Sequence, residues 1–387
     1  MIDIYEPIAI IGMGCLYPGA NNYEKFWQNN LDKKGFIRPI TNEMTGIPEV
    51  YDSQSDSFNK TATNLGACLD LFDFPYARFK GIMPFSISKA DDYQKYSLVA
   101  AQDAVDDAGV NAFKGQTENT FVCIGHYNYE SRAVKEYADR SLKNFWLEMK
   151  KVQSYQSMSE ALKNKIEHQL ESQFFKSEEP LSVDTLLAGM APAVASRICK
   201  FNKFNGGYTT VDSACGSSLA ALEVAIHRLR DRSSEIALVG GIGVITPYFY
   251  IQCSKAGTLS QKGCYPFDQR ASGFVVGEGA GFVVLKRLQS ALKNGDRIHS
   301  VIRGIGSASD GSRGGLWAPN REGQRLAIAR ALKQCDHEFK DLDYIECHGT
   351  GTKVGDNEEL CTLTSLLPEI TKEEHNRRPI AGHHQTP

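Results

Sequence analysis

The stretch TTVDSACGSSLAALEVA, residues 209–225, changes character at its middle. The residues before Asp212 are β-branched and suit a strand. Those after Cys215 are small, then rich in leucine and alanine, and suit a helix. Cys215 therefore falls on the sharp bend between a strand and a helix, the placement of a nucleophile elbow. Such a bend presents free backbone N–H groups and the positive end of a helix dipole to an attacking thiolate. Ala214, Gly216, Ser217 and Ser218 are small enough to let an acyl chain approach. A lone cysteine is more often a small buried hydrophobe; here the bend and its small neighbours argue for a nucleophile.

The pattern extends outward from this point. SSLAALEVAIHRLR is read as a helix with Leu219, Leu222, Ile226 and Leu229 inward. EIALVGGIGV and TFVCIGHYN (120–128) are buried strands, and PIAIIGMGC is an apolar first strand. DYQKYSLVAAQDAVDDAGV (92–110) is a helix with Tyr96, Val99, Ala100 and Ala104 on one face and Gly109 as its stop. SGFVVGEGAGFVVLKRL is a glycine-broken strand pair. RIHSVIRGIGSASD is a further strand, REGQRLAIARALKQC a helix, and LDYIECHGTGT a strand entering a Gly-Thr loop. Strands alternating with helices predict an α/β fold with buried sheets. Residues 21–90 are polar and loop-rich. Residues 130–180 lack glycine, carry Leu162, Ile166, Leu170 and Phe174 on one helical stripe, and read as an inserted helical excursion. Cys123 and Cys347 are read as core strand residues, and Cys15, after GMG, as a loop residue.

Composition bounds the function. In a chain of 387 residues, 42% hydrophobic and 23% charged residues are a globular balance. A net charge of −3 leaves no basic footprint for nucleic acid or anionic lipid. The first apolar run is too short to span a bilayer and has Asp3 and Glu6 where a signal peptide carries basic residues. The ten cysteines include no C-x-x-C pair and read as reduced cytosolic thiols, neither disulfides nor a zinc site. The expected location is therefore the cytoplasm, with no membrane span and no metal.

ECHGTGTKVGD (346–356) places His348 at a strand end, followed by Gly349, Thr350, Gly351 and Thr352. Glycines allow close backbone approach to a ligand and threonines add hydroxyl donors. By spacing alone, a capped turn around a satisfied histidine is an equal reading. The pairing with Cys215 favours chemistry, because thiol acyl transfer needs a positioned histidine.

Together these residues resemble the β-ketoacyl synthase family. The resemblance rests on EPIAIIGMGCLYPGA, VDSACGSSLAAL, YPFDQRASGFVVGEGAGFVVLKRL and ECHGTGTKVGDNEE, and covers the chain to about residue 360. The 130–180 segment and VIRGIGSASDG…GLWAPNREGQ look closer to polyketide or polyunsaturated-fatty-acid synthases. The resemblance implies a thiolase-like fold, two similar βαβ halves stacked in five layers. Residues 1–290 would be the first half and 291–387 a partial second half. It implies that Cys215 accepts an acyl group from the phosphopantetheine arm of an acyl carrier protein. A malonyl-type thioester then loses CO2 and its enolate attacks the acyl-cysteine. His348 would stabilise the thioester oxygen, with Gly349, Thr350 and Thr352 at the substrate. No bound cofactor or metal is implied, and the expected partners are an acyl carrier protein and a second ketosynthase chain, as homodimer or heterodimer.

The family's second histidine stands in a K-S-x-x-G-H block. Here RRPI resembles the lead-in, and AGHHQTP follows, so His383 or His384 is the candidate, without the family's lysine. The closing strands of the second half are expected to be missing, which would make this a truncated or split ketosynthase. The rival readings are a non-catalytic partner of the chain-length-factor type, a thiolase acting on coenzyme A esters, a scaffold, and a dinucleotide-binding protein. The last rests on GMGCLY (12–17), which has Tyr17 where a third glycine belongs.

Overall fold

The apolar run near the amino end becomes β1 (Ile8–Leu16), an inner strand of a six-stranded sheet. The computed structural model describes residues 5–41, 47–54, 57–69, 72–126, 132–174, 183, 187, 190–312, 315, 318–367 and 380–382, without side chains at 132–140, 173–174 and 380–382. The strands that follow are β2 (Arg38–Pro39), β3 (Leu65–Ala67), β4 (Thr120–Gly125), β5 (Tyr208–Val211), β6 (Ile236–Gly243), β7 (Val276–Gly277), β8 (Gly279–Arg287), β9 (Ser300–Ile302), β10 (Tyr344–Glu346) and β11 (Ile380–Gly382). The helices used below are α1 (Tyr23–Leu31), α2 (Asp92–Ala108), α3 (Arg132–Met149), α4 (Glu160–Phe174), α5 (Ala191–Asn202), α6 (Ser217–Arg230), α7 (Pro247–Lys255), α8 (Arg321–Leu332) and α9 (Lys353–Leu366).

The large sheet runs β5-β4-β6-β8-β1-β9. β4 is parallel to β5 and β6, while β8 is antiparallel to both β6 and β1. Its strands read as unbroken apolar runs because both faces are covered. Val122, Ile124, Ile236, Leu238, Phe282 and Val284 pack on one face against α2 and α5. Phe121, Cys123, Ala237, Val239 and Leu285 pack on the other, against Ala221, Ala225, Ile226 and Leu229 of α6. The period of two that divides β4 and β6 between these cores fixes their register.

The charges at the end of FVVLKRL are buried and matched. Lys286 meets Asp296 at 2.6 Å. Arg287 donates to the carbonyls of Leu229 at 2.7 Å and Ser234 at 3.0 Å, and to the Glu235 carboxylate. Burial of these charges is tolerable because each has a partner.

Two details correct the sequence reading. Cys15 lies in β1 and is buried, not in a loop, because the strand continues through its glycines to Leu16. Leu219 is 66% exposed although Ile226 and Leu229 are fully buried. It sits in the first turn of α6, at the mouth of the sheet, while the buried face further along is carried by Ala221 and Ala225. Cys347 is buried as expected, one residue past β10.

Residues 21–90, unassigned from sequence, supply α1 and two strands of a small sheet ordered β2-β3-β7. It packs on Ile40, Ile47, Ile245, Tyr250 and Val276. Within 130–180, α3 and α4 are bridged by Tyr155 of the short Gln153–Gln156 helix, which lies edge-on to Trp146 at 5.2 Å and donates to Glu167 at 2.9 Å, and by a Lys150–Glu167 ion pair at 2.7 Å. Beyond β9, α8 packs beside α9, and β10 pairs in parallel with β11.

Candidate active site

Cys215 lies on a single 3-10 turn, Ala214–Gly216, between β5 and α6, so the strand–bend–helix reading holds. Ala214 adopts φ +48°, a left-handed conformation unusual for a residue with a Cβ. Side chains on both sides hold it there. The Asp212 carboxylate accepts the Ala214 N–H at 3.0 Å. The Ser217 hydroxyl accepts the Ser213 N–H at 2.9 Å and donates to the Ala214 carbonyl at 2.6 Å.

Glycines let the helix start close to the sheet. A Cβ on Gly125 would stand 2.4 Å from the Ser217 backbone, and one on Gly241 would stand 2.7 Å from the Ser218 Cβ. The glycines that end TFVCIG and interrupt ALVGGIG are thus the floor beneath the elbow. Above them is a cavity of about 510 Å³ over the carboxyl ends of β1, β4 and β6, lined by Cys215, Ser218, Gly125, Ile242, Cys15 and Tyr17 among others. Ligands of α/β sheets commonly sit at such carboxyl ends.

Among the ten cysteines Cys215 is the exposed one. Burial pushes the thiols of Cys15, Cys123 and Cys199 up to about 12. Cys253, on α7, is half-buried, and burial raises its thiol to about 11, with the nearby Cys215 adding to the rise.

The histidine loop is built differently. β10 ends at Glu346, and His348 follows, exposed. Both oxygens of Glu359 are taken by the loop backbone, the His348 N–H at 2.7 Å and the Gly349 N–H at 2.9 Å. Gly349 and Gly351 have φ of +50° and +71°, which explains the glycines. Thr352 caps α9 by accepting the Gly355 N–H at 3.2 Å, and the Thr350 and Thr352 hydroxyls lie 2.9 Å apart. Buried Asp356 accepts the N–H groups of Phe267 at 2.7 Å and Gly351 at 3.1 Å.

A ladder of backbone hydrogen bonds runs from the Cys215 side to this loop. Thr258 N–H donates to Cys253, Phe274 N–H to Thr258, and Gly273 N–H to Gly351 at 2.9 Å. His348 is not among the residues that line the Cys215 cavity. His383 and His384 lie outside the described residues. The sequence reading names Ser217 only as a small neighbour, not as a brace, and does not single out Asp212, Asp356 or Glu359. The last two stand three apart at the start of α9, a helical spacing that would have placed them on one face.

Residues 5–291 match the model of the beta-ketoacyl synthase N-terminal domain, and residues 299–382 that of the C-terminal domain. A phenolphthiocerol/phthiocerol polyketide synthase from Mycobacterium tuberculosis is 31% identical over 370 residues, which are 94% of this chain and 18% of that protein. Polyketide synthase PksN of Bacillus subtilis is 29% identical over 371 residues, 94% of this chain and 6% of the other. The chain therefore spans only a small part of the curated relatives it matches. An oxazolomycin ketosynthase domain from Streptomyces albus superposes with a TM-score of 0.79 at 26% identity, over 98% of this chain and 59% of that one. The PfaC keto synthase–chain length factor gives 0.80 at 25%, over 98% and 39%. The mixed sheet, the elbow that carries Cys215 and these matches agree on a thiolase-like α/β fold, and the chain belongs to the β-ketoacyl synthase family, with polyketide-type ketosynthases as its relatives.

Proposed function

We propose that this chain catalyses the acyl-transfer and condensation chemistry of a β-ketoacyl-[acyl-carrier-protein] synthase, with Cys215 as nucleophile. The observation that carries this is an exposed thiol on a strained, doubly braced elbow at the mouth of a cavity. In the first half-reaction the Cys215 thiolate attacks the thioester carbonyl of an acyl group on a carrier's phosphopantetheine arm. The acyl–sulfur bond to the carrier breaks, and the carrier thiol leaves with the proton. In the second, a malonyl-type thioester loses CO2. The resulting enolate forms a carbon–carbon bond to the acyl carbon, releasing Cys215. The His348 imidazole is the hydrogen-bond partner of the enolate oxygen, and Gly349, Thr350 and Thr352 shape the loop against that thioester. His383 or His384 is the second histidine. In support, the parallel pairing sets Glu346 opposite Gly382, so both histidine segments continue from adjacent strand ends.

The same reading takes residues 1–290 and 291–387 as the two ketosynthase halves and puts the protein in the cytoplasm. Its partners are an acyl carrier protein and a second ketosynthase chain. β5 is the outer strand of the large sheet, with Tyr208 47% exposed, an edge a second copy would cover. A non-catalytic, chain-length-factor-like role is the alternative, favoured by the absence of His348 from the cavity lining. Mass spectrometry after incubation with butyryl-pantetheine separates the two. The proposal expects one added butyryl group on Cys215 and none in Cys215→Ala; an unmodified Cys215 in folded protein points to the alternative.

A further inference from the structure

Tyr17, one residue past β1, lines the same cavity as Cys215. Two glycines of β8 mark where its ring lies. A Cβ on Gly279 would stand 2.5 Å from the ring, and one on Gly281 would overlap the hydroxyl oxygen. These glycines are two apart and face the same way, so the ring runs along the strand with its hydroxyl end over Gly281. Gly281 pairs with Gly241, and Gly241 with Gly125. Directly opposed residues share a face, and the other two glycines have Ser218 and Ser217 of the elbow above them. The phenol therefore stands on the elbow side of the sheet, one strand across from Ser218, about 5 Å away. Cys215 and Ser218 are three apart at the helix start, a spacing of about 5–6 Å. The hydroxyl is thus within reach of the first carbons of an acyl chain on Cys215.

The ring is braced by Phe26, with centroids 5.0 Å apart and planes at 50°. Elsewhere in the lining, the Ser217 hydroxyl is taken up by the elbow, and that of Tyr23 donates to Asp107 at 3.2 Å. The Tyr17 hydroxyl has no hydrogen-bond partner among the described residues. Burial, and then the nearby Cys15, pushes the phenol up to about 12, so it stays protonated and donates at neutral pH. Around it the wall is glycine, Met13, Ile242 and Val283. An O–H donor in such a wall favours a chain that presents an acceptor there, and a hydrocarbon chain leaves it without that bond.

We infer that Tyr17 is a specificity-determining residue whose hydroxyl receives a keto oxygen near the thioester end of the acyl chain, so that Cys215 takes up 3-oxoacyl groups in preference to chains with carbon at that place. This rests on the acylation reading above. A carbonyl oxygen accepts from the phenol; a methylene group of the same shape does not. The class of reaction that supplies such a substrate is a condensation whose 3-oxoacyl thioester has not been reduced.

The test compares acylation of Cys215 by acetoacetyl-pantetheine and by 3-methylbut-3-enoyl-pantetheine, in which a methylene group replaces the keto oxygen. Rates are read by intact mass and divided by those of N-acetylcysteine with the same esters, which removes their difference in intrinsic reactivity. The wild type is expected to favour the acetoacetyl ester by about fivefold. Tyr17→Phe, which can keep the contact with Phe26, should bring that ratio close to one. A wild-type ratio of one overturns the inference without any variant. A ratio unchanged in Tyr17→Phe, both rates falling together included, overturns it as well. Adducts from both esters without discrimination leave the proposed function standing, whereas no adduct from either ester or from butyryl-pantetheine removes both.

Discussion

The two regions that carry the candidate catalytic groups are held in place by different physics. The Cys215 elbow rides on a sheet buried on both faces, and its helix start lies directly on strand glycines. The His348 loop has little apolar support. α8 buries only Gly323 and α9 only Asp356 and Thr362, while Leu326, Val354 and Leu360 are exposed. What fixes that loop is a set of charge-assisted hydrogen bonds to Asp356 and Glu359. Packing positions Cys215; polar clamps position His348.

The contrast can be broken most directly in the core. Leu238, fully buried in β6, should cost about 2–5 kcal/mol when changed to alanine, read from urea melts. A loss under about 1 kcal/mol would remove the sheet from its supporting role.

A second measurement probes the boundary between the large and small sheets. Glu278 lies between β7 and β8 and accepts the N–H groups of Leu69 at 2.7 Å and Ile245 at 3.4 Å. Burial raises its carboxyl to about 7. The folded state therefore holds this proton more tightly than the unfolded chain does. The resulting stabilisation is complete below the ordinary carboxylate range and is lost as pH rises through about 7. Relative to wild type, Glu278→Gln should gain stability between pH 5 and pH 8, by up to about 3 kcal/mol. A difference that stays flat across that range would show that Glu278 titrates normally.

The clamp itself comes next. Asp356→Ala strands two backbone N–H groups and should cost about 1–3 kcal/mol in the same melts. Hydrogen exchange should quicken at Phe267 and Gly351 while β4 and β6 remain protected. Uniform exchange across both regions would erase the distinction. The smallest effect is expected at Leu326, which is 44% exposed, where alanine should change stability by less than about 0.5 kcal/mol. A larger loss would mean that α8 is covered in solution.

Legibility from sequence followed the same divide. β4 and β6 were plain because runs of apolar residues between glycines leave few alternatives to a buried strand. Cys215 was legible because residue types change abruptly around it. The small sheet was invisible, since β2 and β7 have two residues each and β3 three, too few for any period to register. Leu219 was misread because periodicity tells which face a residue occupies, not whether anything lies beyond the end of the sheet.

The register of the large sheet has a consequence in time. β1 leaves the ribosome long before its neighbour β8, with which it pairs from Ile8 opposite Arg287 to Leu16 opposite Ala280. Until β8 has been synthesised, the sequence IAIIGMGCL lacks that partner and stays an apolar segment seeking one. The newborn chain is thus most prone to aggregate during translation of the residues between these strands, and chaperone dependence should fall once Arg287 has emerged.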